Sequence, residues 1–349
     1  MKVLSGIDSL YYFCESNNNY EDLYNSIINS LEDQKEKLKQ LGIQTKPQDL
    51  FYNLDEIPLQ HLGKAEGFLW FRDNNHFFKL GFKDPKSAVN MHNIRVQLLA
   101  NGIYGYGLKN ILKFINDDLL KDFTTGYYPV TRIDLNAFVT YNFSFIDKSM
   151  FVTRKQNYAT ISEIGSSTKI QTLYVGKPPF RLRIYDKRLE LIQNNKKFDL
   201  MDEYFSKNGI KKKQSLFNIE FEMHRAHLKY YKLDSLEEVL KKVEMLFKKA
   251  MDDIRLVDPQ TISDQKNRYR AKTLLVWKQI QEAYKINQFM QNSLPLEKIK
   301  RKRYQYELEE FKQEFKALTK RGYIHDLPIS IDLFAIYYEE MKKDLGVLR

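Results

Sequence analysis

Arg181-Leu182-Arg183-Ile184-Tyr185-Asp186-Lys187 reads as a β-strand with two unlike faces. Side chains alternate along a strand, so Leu182 and Ile184 point one way and Arg181, Arg183, Tyr185 and Lys187 the other. The second face holds one phenol among three cations. A phosphate backbone binds such a face, and a phenol oxygen there is placed to attack phosphorus.

Two further stretches alternate in the same way. In residues 132–137, Ile133, Leu135 and Ala137 form an apolar face, and Arg132, Asp134 and Asn136 a polar one. In residues 217–224, Phe217, Ile219, Phe221 and Met223 oppose Asn218, Glu220, Glu222 and His224. If the three strands share a sheet, Asp134, Glu220 and Tyr185 lie on one surface. Tyrosine, with a pKa of about 10, is a weak nucleophile at neutral pH. A divalent cation held by carboxylates would polarise the scissile phosphate and offset developing charge. Asp134, Glu220 and Glu222 are the candidate ligands, and their hard oxygens suit Mg²⁺ or Mn²⁺. Arg183 and Lys187 are candidates to steady the transition state beside Tyr185, and Arg132 and Arg181 to bind DNA. The bland alternative makes Asp134 and Glu220 solvated strand residues and Tyr185 a strand former. His224 and His227 lie at a strand end, where their spacing does not aim both at one metal. His61, His76, His92 and His325 show no ligand pattern. No His-apolar-His triplet occurs, so any metal site is expected to be mainly carboxylate.

Outward from these strands, residues 6–14 read as a strand and 20–41 as a helix stopped by Gly42. Aromatic-rich runs at 67–72 and 76–82 flank a hairpin turn at Asp73-Asn74-Asn75. Residues 94–98 and 172–175 read as strands and 106–120 as a helix. Gly6-Ile7-Asp8 echoes Arg132-Ile133-Asp134, and residues 93–98 echo 218–223. The expected fold is α+β: an antiparallel β-rich core, two related halves in one continuous or saddle-like sheet, and a helical carboxyl-terminal region. The expected divisions are 1–125, the amino-terminal half; 126–232, the half with the chemistry; and 233–349, helical and DNA-binding. In that last region Asp234 and Glu237 suggest a capping box. An apolar stripe then predicts one helix to about 256, ended by Asp258-Pro259. Further helices are predicted at 263–288, 295–321 and 330–344. Lys298, Lys300, Arg301, Lys302 and Arg303 lie on the second of these, where Lys298, Arg301 and Lys302 share a face, as a candidate duplex contact. Lys196-Lys197 and Lys211-Lys212-Lys213 are loop cations suited to flanking DNA.

The chain has 349 residues, 43% hydrophobic and 14% aromatic, enough for a full core. A net charge of +11 favours a polyanionic partner. Cys14, the single cysteine, excludes an internal disulfide and a cysteine-based zinc site. No apolar run reaches the roughly 18 residues of a spanning helix, and no amino-terminal signal is visible. A cytoplasmic protein without a membrane partner is expected.

At three motifs the sequence resembles the Rep_trans-type rolling-circle replication initiators of small plasmids, integrative conjugative elements and some filamentous phages. They are Thr131-Arg132-Ile133-Asp134-Leu135; Thr172-Leu173-Tyr174-Val175-Gly176 followed by residues 182–187 and Glu190; and Phe217-Asn218-Ile219-Glu220. The resemblance covers residues 130–225. It implies that Tyr185 is a nucleophile and Asp134 and Glu220 metal-site carboxylates. Phe138 stands where the family often has a second acid, Asn218 where it usually has Arg, and Lys177-Pro178-Pro179 where a Gly-Ser-rich stretch is common. The resemblance further implies origin DNA with an extruded single-stranded hairpin and flanking duplex, a 5′-phosphotyrosine link, a 3′-OH primer and later rejoining. A homodimer and a host helicase are implied as well. The rival readings are a non-enzymatic origin- or operator-binding protein and a conjugative relaxase.

Overall fold

The computed structural model of the chain describes residues 1–40, 44–154, 161–166, 169–193 and 200–286. Its strands are β1 (Val3–Cys14), β2 (Phe51–Leu54), β3 (Ile57–Ala65), β4 (Phe68–Asp73), β5 (Phe78–Lys83), β6 (Ile94–Leu98), β7 (Val130–Val139), β8 (Phe151–Thr153), β9 (Ile161–Ser166), β10 (Lys169–Lys177), β11 (Phe180–Asp186), β12 (Phe217–His224) and β13 (Ile254–Leu256). The helices are α1 (Tyr20–Gln40), α2 (Leu108–Lys113), α3 (Lys187–Gln193), α4 (Leu200–Lys207), α5 (Arg225–Tyr230), α6 (Leu236–Lys241), α7 (Val243–Asp253) and α8 (Leu275–Ala283). Wider π-type turns, Gly102–Gly107 and Phe114–Leu119, flank α2.

Eleven of the described strands form one antiparallel sheet in the order β2-β3-β4-β5-β6-β1-β7-β12-β11-β10-β9. From the centre, one side runs β1, β6, β5, β4, β3 and the other β7, β12, β11, β10, β9. Each half places its first strand centrally, its last strand beside that, and the others outward in reverse order. The halves repeat one topology, and the echoing sequences are its corresponding strands: β1 with β7, β6 with β12. β2 adds an edge strand to the first half. The core is α+β, as expected.

Local chemistry sets the turns. Asp73 closes the β4–β5 hairpin by accepting from the backbone N–H groups of Asn75, Phe77 and Phe78 at 2.7–2.9 Å. α1 buries Leu23, Ile27 and Leu31 along one stripe. Ile133, Leu135, Leu182, Ile184, Ile219 and Phe221 bury the apolar face of the second half. There Phe221 meets Phe247 of α7 edge-on at 5.4 Å, and Phe247 stacks on Tyr284 at 3.7 Å. The Tyr284 hydroxyl donates to the Gly6 carbonyl at 2.7 Å, tying the segment after α8 to β1. The described residues fall within one compact unit. Among the described residues no helix is long and apolar enough to cross a membrane.

Several predicted elements differ. Lys187 opens α3 instead of closing the strand, because β11 stops at Asp186, whose carboxylate accepts from the Arg188 and Leu189 N–H groups. The capping box is Ser235 with Glu238, one residue later than read. The single helix expected to residue 256 is α6 and α7, broken at Lys242 (φ −114°, ψ 9°), with its last residues pairing with β8 as β13. The helix expected at 263–288 is a 3₁₀ segment, Gln265–Arg270, followed by α8. β2, β3, β8 and β9 were not predicted. Gly42, Lys196-Lys197, the helices read at 295–321 and 330–344, and Lys298, Lys300, Arg301, Lys302 and Arg303 lie outside the described residues.

Candidate active site

Cross-strand register places the polar residues of three strands side by side. Asp134 lies opposite Glu222 and Asn136 opposite Glu220 between β7 and β12. Between β12 and β11, Glu222 lies opposite Arg181, Glu220 opposite Arg183 and Asn218 opposite Tyr185. Directly opposed residues share a face. Asp134, Glu220, Glu222, Arg132, Arg181, Arg183 and Tyr185 therefore converge, as the alternation implied.

This polar face is not solvated. Asp134, Glu220 and Glu222 are each 1% exposed, and Asn136 and Asn218 are fully buried. An aromatic cap from elsewhere in the chain seals one end. Phe138, on the same face, packs against Tyr104 at 5.6 Å and against Phe205 of α4 at 4.9 Å. Gly6 is required beneath the cap: a Cβ there would lie 2.6 Å from Asn136 Oδ1 and closer still to the Tyr104 hydroxyl.

Buried carboxylates need partners, and arginines supply them. Arg132 grips Asp134 through Nε at 2.8 Å and a terminal nitrogen at 2.5 Å, and reaches Glu222 at 3.3 Å. Arg183 pairs with Glu220 and lies 3.3 Å from Asp134. Arg181 holds Glu222 Oε2 at 2.5 Å, while His224 Nε2 lies 2.6 Å from Glu222 Oε1. Ser9 Oγ donates to Asp134 at 2.7 Å. The arginines form the rim, with side chains 23–28% exposed.

Tyr185 is partly exposed beside this network. Its hydroxyl accepts from Asn218 Nδ2 at 2.8 Å and faces Glu220 Oε2 at 3.4 Å. Asn136 donates to Asn218 at 3.0 Å, and the Tyr104 hydroxyl to Asn136 at 2.7 Å. A buried amide relay thus runs from the cap to the phenol. Lys187, buried, lies 5.7 Å from the Tyr185 ring centre and pairs with Glu190 at 2.8 Å. It stays beside the tyrosine although it belongs to α3.

Sequence reasoning missed Asp8. It is the extra residue of a bulge in β1, between the pairs Ile7–Leu135 and Ser9–Asp134. Asp8 and Asp134, the matching aspartates of the repeated stretch, interact electrostatically here. The echo was the available signal; the bulge that swings Asp8 into place was not readable.

Burial, then the charges of Asp8 and Asp134, push the Glu220 carboxyl well above its usual range against the pull of Arg183. Burial pushes Asp8 up too, with Asp134 adding and Lys187 opposing. Burial would also raise Glu222, but His224, Arg181 and Arg132 outweigh it and hold that carboxyl at about 2. Burial, then Glu220 and Asp8, push the Tyr185 phenol well up, while the Asn218 hydrogen bond works the other way. Burial lowers Lys187, but Asp8 and Glu190 prevail and its pKa rises.

The donor chemistry suits a hard divalent cation, but the placement does not. Each carboxylate is occupied by a guanidinium, and among the described residues no three His, Cys, Asp or Glu side chains are arranged around an ion.

Fold and site together define an α+β protein with a repeated antiparallel sheet, one half of which carries a tyrosine in a buried carboxylate–arginine cluster. No family model matches the chain, and no curated protein does. Among solved structures it is similar to a rolling circle replication initiator protein from Geobacillus stearothermophilus. The two are 12% identical with a TM-score of 0.43, over 84% of this chain and 99% of the other.

Proposed function

We propose that the protein is a DNA-nicking and strand-transferring enzyme, a rolling-circle replication initiator, with Tyr185 as nucleophile. The observation that carries this reading is the setting of the Tyr185 oxygen. It is fixed by Asn218 at 2.8 Å, faces Glu220 at 3.4 Å, and lies on the face that bears the rim arginines.

The phenol oxygen attacks a backbone phosphorus, and its proton passes to the Glu220 carboxylate, whose Oε2 faces it at 3.4 Å. The P–O3′ bond breaks, leaving the 5′ side joined to Tyr185 and a 3′ oxygen that takes up a proton to become a primer end. Attack of a 3′-OH on that link reverses the step and rejoins a strand. Arg183, Arg132 and Arg181 exchange their carboxylate partners for phosphate oxygens as DNA arrives. Lys187 adds positive charge beside the pentavalent phosphorus. Mg²⁺ or Mn²⁺ belongs to the proposal as the cofactor, and Asp134, Glu220 and Glu222 would hold it only if the guanidiniums that now occupy them were released. Bound there it would offset phosphate charge. Origin DNA, a homodimer, a host helicase and a cytoplasmic location complete the reading.

The test is a supercoiled plasmid carrying the element's origin, incubated with wild type or Tyr185→Phe, with and without Mg²⁺ or Mn²⁺. Nicked circles with protein on the 5′ end are expected for wild type and neither for the variant. Equal nicking by both proteins places the chemistry elsewhere. Origin binding without nicking by either favours a non-enzymatic DNA-binding protein.

A further inference from the structure

We infer that the sheet face bearing the site continues across the first half as a single-stranded DNA platform, built on Tyr11, Phe13, Trp70, Arg72, Lys79 and Arg95. This rests on the nicking reading, since a cleaved strand needs a path away from Tyr185.

The register draws the path. Arg132, which grips Asp134, lies opposite Tyr11; Tyr11 opposite Gln97; Gln97 opposite Lys79; and Lys79 opposite Arg72. A second row runs from Phe13 to Arg95, Gly81 and Trp70. All these residues share the face of the site. From β7 to β4 there are four inter-strand steps of about 4.8 Å, a track of about 19 Å.

The surface has two components that a single strand uses. The Arg95 guanidinium lies over Phe13 at 5.7 Å and over Trp70 at 5.5 Å, and that of Arg132 lies over Tyr11 at 5.2 Å. Such a stacked guanidinium keeps its charge and presents a flat outer face. Gly81 makes room for the indole, since a Cβ there would lie 3.2 Å from the Trp70 ring. Tyr11, Phe13, Arg72, Lys79, Arg95 and Gln97 are all partly exposed, with Arg72 held by Gln60 at 2.8 Å, while Trp70 is buried, 8% exposed, beneath Arg95. On this face β4, β5, β6 and the Ser9–Phe13 part of β1 carry no carboxylate, in contrast to β7 and β12. The acidic neighbour of Arg95 is Glu66, exposed in the β3–β4 turn. Phosphates meet the cations and unstacked bases meet the flat rings and guanidiniums, without sequence preference. A duplex hides its base faces, so the chemistry selects a single strand.

Only two tryptophans occur, and Trp277 is 1% exposed, so Trp277→Phe leaves Trp70 as a reporter. The full chain carrying Trp277→Phe and Tyr185→Phe would be titrated with oligo(dT) and with a duplex of equal length. The same full-length Tyr185→Phe protein would also be cross-linked to oligonucleotides containing 5-iododeoxyuridine. Expected are a change in Trp70 emission as DNA meets the Arg95 that covers it, cross-links at Tyr11 or Phe13, and preference for the single strand. Tyr11→Ala and Arg95→Glu should each weaken oligo(dT) binding by about tenfold or more. Cross-links confined to other surfaces, affinity unchanged in both variants, or duplex bound as tightly as oligo(dT) would each overturn the platform. Cross-linking needs no platform substitution, so a variant that fails to fold leaves the test standing. Tyr185-dependent nicking with an unresponsive first half sinks the platform alone. A responsive first half in a protein that never nicks sinks the nicking reading alone.

Discussion

β11 and β12 in the second half hold the places that β5 and β6 hold in the first, yet their faces differ in kind. One pair presents Arg181, Arg183, Tyr185, Glu220 and Glu222; the other presents Lys79, Gly81, Arg95 and Gln97. In the second half the carboxylates are buried beneath the rim arginines, with one end closed by Phe138, Tyr104 and Phe205, so each charge finds its partner within the cluster. On the corresponding strands of the first half no carboxylate shares the face, and Arg95, partly exposed, lies over the Phe13 and Trp70 rings. A repeated topology fixes where side chains stand. What covers them fixes what they can be.

If the halves repeat in their cores and differ only on the polar face, core truncations should cost alike. Phe221→Ala and Phe82→Ala each remove a fully buried ring, and each should lose about 3–5 kcal/mol in denaturant unfolding. A loss confined to one half would break the equivalence.

The next contrast is between two Arg–Glu pairs. Glu222, whose side chain is 2% exposed, is held at about 2, below its unfolded value of about 4.3. A depressed carboxyl adds stability that is complete above the unfolded pKa and is lost as pH falls toward the folded one. Glu222→Gln should therefore cost about 3 kcal/mol at neutral pH, with the gap to wild type closing between about pH 4.5 and 2. Thermal melts across that range measure it, and a gap independent of pH would refute it.

Asn218 tests the relay to Tyr185, the proposed nucleophile. It touches Tyr185 from the carboxylate side, so it acts as a positioning residue. Asn218→Leu should lower single-turnover nicking by about 10- to 100-fold, with the loss in kcat and not in KM. A change in KM alone would assign Asn218 to DNA binding.

The smallest effect belongs to the first half. Glu66 pairs with Arg95 but its side chain is 68% exposed, so Glu66→Gln should shift stability by less than about 0.5 kcal/mol. A loss comparable with that of Glu222→Gln would erase the distinction between the two faces.

Much of this was legible locally. Alternation over two residues identified β7, β11 and β12 and sorted their faces, and Asp73 marked the β4–β5 hairpin. β3 escaped because Pro58 and Gly63 interrupt its pattern, and a bulge follows His61. The break between α6 and α7 escaped because the apolar stripe runs through Lys242 without a Gly or Pro. The boundary at Lys187 escaped because an Asp cap can follow a strand without changing its alternation.

By itself the sequence determined the order of the strands' faces, the single tyrosine among cations on β11, and the echo that joins the two halves, since each is written within a few neighbouring residues. Only the tertiary structure decided that the carboxylates are buried, that arginines hold them, and that Asp8 joins Asp134. Those outcomes depend on register, on one bulge and on a cap drawn from distant segments. Ser9 and Asp134 meet across 125 residues of chain, a contact no local pattern encodes.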